Sequence, residues 1–207
     1  MTTIATLSAK NPGIAQKYDH LLKVISSTRF LTMQGLGNEI PFFICPFPPE
    51  EIVAMNRVQK QLGNALEKKG VRILTVNLYD LIIELLQKRN IFERIMTTEK
   101  SIAKDQLLEL LQGVLDSKSH LIPTIAEKMV AKTFDVMFLT GVGEIFPYIR
   151  SHNVLNNLQS TAKDKPTILF FPGSYTFSRG EGSSLDLFGK LRDDKYYRAF
   201  DIFNYDI

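Results

Sequence analysis

Two hydrophobic patterns alternate along the chain, and each predicts a different element. Short continuous apolar runs predict buried strands, whereas apolar residues that recur every three or four positions predict amphipathic helices. Glycine and proline cluster between them, as is typical of the turns that join strands to helices. The predicted strands are 41–45, 71–76, 134–139, 167–171 and 196–203. The predicted helices begin after Gly13, at Pro49, after Asn77, at Ser101, at Ile122 and at Pro147.

The alternation of strands and helices predicts the fold class. Apolar strands separated by amphipathic helices favour an α/β three-layer sandwich, in which helices cover both faces of a mostly parallel central sheet of about five strands. No internal repeat or long linker divides the sequence, so we expect a single domain over residues 1–207. The segment after the fourth predicted strand, residues 172–184, is predicted to be a long functional loop.

The amino-acid composition mainly excludes certain kinds of protein and site. Hydrophobic residues make up 44% of the 207 residues and charged residues 23%, which is the balance of an ordinary globular protein. The net charge of +3 is weak evidence for nucleic-acid binding. A single cysteine, Cys45, excludes an internal disulfide and a cysteine zinc cluster. Since no apolar stretch approaches the roughly 20 residues that span a bilayer, and the first residues lack a signal-peptide pattern, we expect a cytoplasmic protein without membrane contact.

The turn after the first predicted strand argues against nucleotide binding. A phosphate-binding loop needs free backbone N–H groups and a lysine, but this turn reads Pro46-Phe47-Pro48-Pro49-Glu50-Glu51. The prolines remove N–H donors, and the two glutamates place negative charge at the start of the following helix. The layout therefore resembles a P-loop NTPase core with a degenerate phosphate loop. We expect no cofactor and no metal.

The remaining chemistry-bearing residues give only weak signals for an enzyme. Ser174 lies outside a nucleophile-elbow motif, and Glu144 is the only carboxylate near His152 in sequence. A hydrolase that uses Glu144 and His152 is therefore one alternative. The prediction that we carry forward is that the protein is not an enzyme.

Aromatic and arginine side chains near predicted strand ends suggest a binding surface instead. Basic and aromatic residues alternate in the last part of the chain, which is compatible with single-stranded RNA or DNA. Acidic residues are interleaved with them, so a protein-binding surface is favoured and a nucleic-acid-binding module is kept as the alternative. The candidate partner-binding residues, all expected on exposed loops or strand ends, are Phe47, Tyr148, Arg150, His152, Tyr175, Tyr196, Tyr197 and Arg198.

Several motifs in combination resemble the BrxB family of BREX bacteriophage-defence systems. They are Pro41-Phe42-Phe43-Ile44-Cys45-Pro46-Phe47-Pro48-Pro49, Thr140-Gly141-Val142-Gly143, Phe146-Pro147-Tyr148-Ile149-Arg150-Ser151-His152, Phe170-Phe171-Pro172-Gly173-Ser174-Tyr175, Leu187-Phe188-Gly189 and Tyr196-Tyr197-Arg198-Ala199-Phe200. The resemblance covers nearly the whole chain.

The resemblance implies a place in a multi-protein system that contains an ATPase, a DNA adenine methyltransferase and a PglZ-type hydrolase of the alkaline-phosphatase superfamily. It implies no catalytic residues that can be carried over to this sequence. Its implied role is a non-catalytic adaptor or regulator that binds other BREX components, the PglZ-type hydrolase in particular and the BREX ATPase as a further partner.

Overall fold

The centre of the protein is a sheet of five parallel strands, seen in a computed structural model that describes residues 13–36, 41–178, 182–194 and 199–205. The strands are β1 (Phe42–Phe47), β2 (Ile73–Asn77), β3 (Val136–Thr140), β4 (Thr167–Ser178), β5 (Gly182–Leu187), β6 (Leu191–Asp194) and β7 (Phe200–Asp201). The parallel strands lie in the order β2-β3-β4-β1-β7, and β5 and β6 extend the sheet as an antiparallel hairpin on β4.

Helices cover both faces of this sheet, as the sequence predicts. The first three helices and the apolar residues beneath them form one side of the core, and the last five helices form the other. The helices are α1 (Ile14–Ile25), α2 (Thr28–Leu31), α3 (Ile52–Lys68), α4 (Leu78–Lys88), α5 (Phe92–Glu99), α6 (Lys104–Val114), α7 (Ile122–Ala131) and α8 (Ser151–Leu158). Within the described residues, no helix combines the length and the apolar character needed to cross a bilayer.

Strand β1 shows how one strand serves both halves of the core. Successive side chains of a strand point to opposite faces. Accordingly, Phe42 and Ile44 pack with the α4–α8 layer, whereas Phe43, Cys45 and Phe47 pack with the α1–α3 layer. This two-sided burial explains why the strand reads as a continuous apolar run rather than as an alternation.

Local capping signals act where the sequence predicts them. The Asn77 side chain accepts hydrogen bonds from the backbone N–H groups of Tyr79 (2.9 Å) and Asp80 (3.2 Å) at the start of α4. Gly70 follows α3 with a φ of +81°, a left-handed conformation that glycine adopts without a steric penalty. Both features turn the chain sharply, so each helix packs back against the sheet.

The amino ends of β2 and β3 are tied by a bidentate ion pair. The Arg72 guanidinium donates to the Asp135 carboxylate at 2.9 and 2.6 Å, and the Arg72 backbone N–H donates to the same carboxylate at 2.8 Å. These hydrogen bonds lower the pKa of Asp135 to about 2. Asp135 thus lies at the amino end of its strand, opposite the edge where α/β proteins bind ligands, and its contacts are structural.

Three parts of the chain differ from the prediction. Residues 172–184 are not one long loop, because β4 continues to Ser178 and pairs with β5 from Gly182 onward. The last predicted strand is short in its described part, where Phe200 and Asp201 pair with β1 before the chain turns into a 3-10 helix. The sequence also predicts a helix from Pro147, but α8 begins at Ser151.

Candidate functional site

The carboxyl edge of the parallel sheet brings together the ends of β1, β4 and β7. The connection that follows β1 runs to β2 at one edge of the parallel sheet, whereas the connection that follows β4 runs in the opposite direction, to β7 at the other edge. Neighbouring strands whose connections diverge in this way mark the place where α/β proteins bind ligands.

A cleft of about 550 Å³ lies at this place, and we call it the edge cleft. This volume is within the range of small-ligand pockets. Its lining combines prolines, aromatic rings and a few charged or polar groups. The lining residues are Lys17, Pro46, Phe47, Pro48, Pro49, Gly173, Ser174, Tyr175, Gly189, Asp201 and Phe203.

A buried ion pair occupies the side of the edge cleft next to α3. The Lys17 side chain on α1 is 1% exposed, and its ammonium donates a hydrogen bond to the Glu51 carboxylate. Glu51 ends the 3-10 turn Pro49–Glu51 that leads into α3. The glutamate that the sequence places at the helix start therefore has a cationic partner within the fold. This pairing offsets the desolvation of both groups.

Asp201 provides the second charge of the edge cleft. Its Oδ1 accepts a hydrogen bond from the Phe203 backbone N–H at 2.9 Å, which caps the final 3-10 turn. Burial raises the pKa of the Asp201 carboxyl, and the Phe203 hydrogen bond and the nearby His20 oppose this rise. The carboxyl group therefore lies in a partly desolvated environment.

Tyr175 and Cys45 complete this region. The Tyr175 hydroxyl donates to the Ala199 carbonyl oxygen at 2.7 Å and so joins β4 to the segment before β7. Burial raises the pKa of Tyr175. Burial also raises the pKa of the Cys45 thiol, and nearby Asp201 acts in the same direction. The Cys45 side chain is fully buried, so it is shielded from solvent.

A second crevice of about 200 Å³ lies where the hairpin approaches the loop after β3. The ring of Phe188, at the β5–β6 turn, lies so close to Gly143 that a Cβ there would be 2.9 Å from the ring. Phe188 has a φ of +58°, which is uncommon for a bulky residue. The hairpin thus packs directly on the Gly141–Glu144 loop.

The structure separates the predicted partner-binding residues into different environments. Tyr148 is half-buried and Arg150 is exposed, and both line a groove of about 440 Å³ beside the first turn of α8. We call it the polar groove, since its other residues are mainly amides and charged groups. Tyr175 instead lines the edge cleft.

Two of the predicted residues are buried. Phe47 lies at a strand end, as predicted, but faces the core, whereas the prediction that His152 lies on an exposed loop or strand end is wrong. Phe47 is 4% exposed because strand alternation directs it into the α1–α3 side of the core. His152 is 4% exposed because it precedes Leu155 by three positions on α8, and that helix face packs on the sheet. Glu144, its partner in the hydrolase alternative, is exposed. Tyr196, Tyr197 and Arg198 lie outside the described residues.

Sequence reasoning missed Lys17 and Asp201 as site residues. Lys17 had a detectable signal, because it interrupts the apolar stripe of α1 between Ile14 and Leu21. A lysine at such a position is expected to have a buried partner. Asp201 has no comparable signal, since a single aspartate near the end of a strand is common. Within the described residues, no group of three or more His, Cys, Asp or Glu side chains is arranged to hold a metal ion.

Comparisons with known proteins agree with one another. A family model described as BREX protein BrxB matches residues 74–202. The chain is 32% identical over 193 residues to a BREX protein BrxB from Bacillus cereus (strain H3081.97), which covers 91% of this chain and 97% of the relative. It is 30% identical over 190 residues to a BREX protein BrxB from Escherichia coli O9:H4 (strain HS), with 92% of each chain covered. No solved structure matches.

Proposed function

The chain belongs to the BrxB family of BREX proteins, and from this premise we propose that it is a non-catalytic adaptor within a BREX anti-phage defence complex. The adaptor binds the PglZ-type hydrolase of the system, and the BREX ATPase is a further partner. It works in the cytoplasm with its partners.

One observation carries the non-catalytic part of the proposal. At the carboxyl end of β1, Pro46, Pro48 and Pro49 supply no N–H donors, and Glu51 is already paired with the buried Lys17. A phosphate placed at the start of α3 would meet a carboxylate and too few donors. We infer that the fold is a P-loop NTPase core in which this site has degenerated.

A titration with ATP and magnesium tests that inference. The proposal predicts that neither the melting temperature nor the heat of mixing changes, because nothing binds the native state preferentially. A saturable rise in the melting temperature of the wild type on addition of ATP and magnesium would contradict it. AMP in place of ATP serves as the matched nucleotide control.

The polar groove supports the binding part of the proposal. It holds the exposed Arg150 and the half-buried Tyr148 close to Asn153, Asn157 and Lys118. Arginine and tyrosine supply a large share of binding energy at protein interfaces, and amides form hydrogen bonds with peptide groups. We therefore assign the contact with the hydrolase to this groove.

A binding experiment with matched variants tests the assignment. Arg150→Ala is expected to weaken the affinity for the cognate PglZ-type hydrolase about tenfold, as an interface arginine does. Arg57→Ala is the control, because Arg57 is exposed on α3 and α3 lies in the helix layer on the opposite face of the sheet. Equal affinities of Arg150→Ala and wild type would exclude the polar groove. Binding of the wild type to DNA or RNA but not to the hydrolase would favour the nucleic-acid alternative.

A further inference from the structure

The edge cleft exists because the fifth parallel strand stops early. Asp201 at the end of β7 pairs with Ile44, whereas β1 continues to Phe47. After Asp201 the chain turns away into the 3-10 helix Ile202–Asn204. On the side of β1 that faces β7, Pro46 and Phe47 therefore have no neighbouring strand among the described residues. The cleft of about 550 Å³ lies in this space, and its position is fixed by the strand order.

Among the described residues, the charged ones that line the edge cleft are Lys17 and Asp201. The Lys17 ammonium is paired with Glu51, so Asp201 supplies the remaining negative charge of this lining. Among the described residues, the Asp201 carboxylate accepts one hydrogen bond, from the Phe203 amide, and the nearby His20 acts on it electrostatically without a hydrogen bond. The neighbouring His20 uses its Nε2 in a 3.2 Å contact with the Ile202 carbonyl oxygen. One carboxylate thus remains available to a ligand.

The walls of the edge cleft fit a flat cation. The aromatic residues Tyr175, Phe203 and Phe47 line the cleft together with Asp201. Cations bind favourably over aromatic faces, and more strongly where water is excluded. The guanidinium of arginine is planar, stacks on rings and binds carboxylates through two N–H groups, whereas the compact ammonium of lysine cannot do so. A phosphate group would instead be repelled by Asp201.

We propose that the edge cleft receives an arginine side chain of the partner protein, with its guanidinium paired to Asp201 beside the rings of Tyr175 and Phe203. This assignment rests on the proposed adaptor function and adds a second contact to the one in the polar groove. Asp201 is partly buried, and the loss of water around its carboxylate is compensated when the cation enters.

The cleft can be tested without the partner. The full chain, labelled with ¹⁵N, is titrated with N-acetyl-L-arginine amide and, as a neutral isostere, with N-acetyl-L-citrulline amide. We expect saturable shifts of the Ser174, Tyr175 and Phe203 amide resonances with the arginine probe, and at least fivefold weaker binding of the citrulline probe. Saturable binding that is equal for both probes, or no saturable shift at these residues, would overturn the proposal.

Two variants test whether the arginine probe needs the negative charge of Asp201. Asp201→Asn retains an oxygen that can cap the 3-10 turn but removes the charge, so binding of the arginine probe should fall at least fivefold. Asp19→Asn, an exposed position on α1, should leave it unchanged. The melting temperature of Asp201→Asn shows whether the fold is retained. If that variant does not fold, the citrulline comparison on the wild type decides alone.

Binding to the hydrolase distinguishes this proposal from the adaptor proposal. We expect Asp201→Asn to reduce the affinity for the PglZ-type hydrolase about tenfold, as loss of an interface charge pair does. A wild-type chain that does not bind the hydrolase would contradict the adaptor function, while the arginine titration would still report on the cleft. A wild type that binds and an Asp201→Asn variant of equal affinity would overturn the arginine contact.

Discussion

The ammonium of Lys17 on α1 is hydrogen-bonded to the carboxylate of Glu51, the last residue before α3. The pair connects α1 to the turn that follows β1. It also places the negative charge of this turn in contact with a buried cation, beside the edge cleft. The turn after β1 is thus held to α1 by an ion pair with a buried lysine.

Removing the cation of this pair should destabilise the protein. Lys17→Met leaves the Glu51 carboxylate partly buried and unpaired, which costs about 3 kcal/mol of unfolding free energy. Urea unfolding monitored by circular dichroism measures the loss. The double variant Lys17→Met/Glu51→Leu is the control, and it should recover most of the stability because it leaves no unpaired charge. A single variant as stable as the wild type would show that the pair contributes nothing.

The Arg72–Asp135 pair should determine part of the acid sensitivity. The pKa of Asp135 falls from 3.8 to about 2 in the folded state. Its stabilisation is therefore fully present above the ordinary pKa of 3.8 and is lost as the pH falls toward 2. Asp135→Asn should have lower stability at neutral pH and a shallower decline between pH 4 and pH 2.

Urea midpoints measured over this pH range test the difference. Asp19→Asn, which changes an exposed aspartate on α1, is the matched control and should follow the wild type. If the urea midpoints of Asp135→Asn and the wild type fell identically with pH, other carboxylates would determine the loss of stability in acid.

The close contact between β4 and β5 predicts that Gly173 cannot be replaced by a residue with a side chain without loss of stability. A Cβ at Gly173 would lie 2.1 Å from the backbone carbonyl oxygen of Asp186. Gly173→Ala must therefore separate the two strands, and we expect a loss of at least about 2 kcal/mol together with faster amide exchange in the hairpin. Gly63→Ala in α3 is the matched control. A Cβ there meets no atom within 4 Å, so this change should stabilise the protein by about 0.5–1 kcal/mol. A Gly173→Ala variant that keeps the wild-type stability would contradict the packing.

The hairpin turn gives a second test of packing. A Cβ at Gly143 would lie 2.9 Å from Phe188 and 3.0 Å from Pro172. We expect Gly143→Ala to cost about 1–2 kcal/mol, since an added methyl group has no space there. Adding Phe188→Leu should reduce that penalty, because the ring is the nearest obstacle. Additive effects of the two changes in urea unfolding would show that the ring and the glycine are not in contact.

Local sequence signals predicted most of the fold. The helix over Ile14–Ile25, the cap at Asn77 and the left-handed Gly70 follow from periodicity, side-chain capping and backbone freedom, which act within a few residues. The parallel sheet followed from alternating strands and helices. The β4–β5 hairpin was missed because Pro172 and Gly173 have the composition of a loop, whereas Gly173 is required by the close approach of the Asp186 backbone.

The candidate site was less predictable, because it depends on contacts between distant parts of the chain. Phe47 and His152 have the residue types of an interface, but their burial depends on which face of β1 or α8 meets the core. Lys17 and Asp201 come from opposite ends of the chain and meet at the edge cleft only after the sheet has formed. Hydrophobic periodicity describes one helix or strand at a time, so it cannot predict which residues distant in sequence will line the same cleft.

Light scattering on a sizing column tests the adaptor function most directly. The protein and its cognate PglZ-type hydrolase are run separately and then mixed at micromolar concentration. We expect a joint peak whose mass equals the sum of the two components in a whole-number ratio, and we expect Arg150→Ala to reduce it while Arg57→Ala does not. Separate peaks at the masses of the individual proteins, at every salt concentration tested, would contradict the adaptor function.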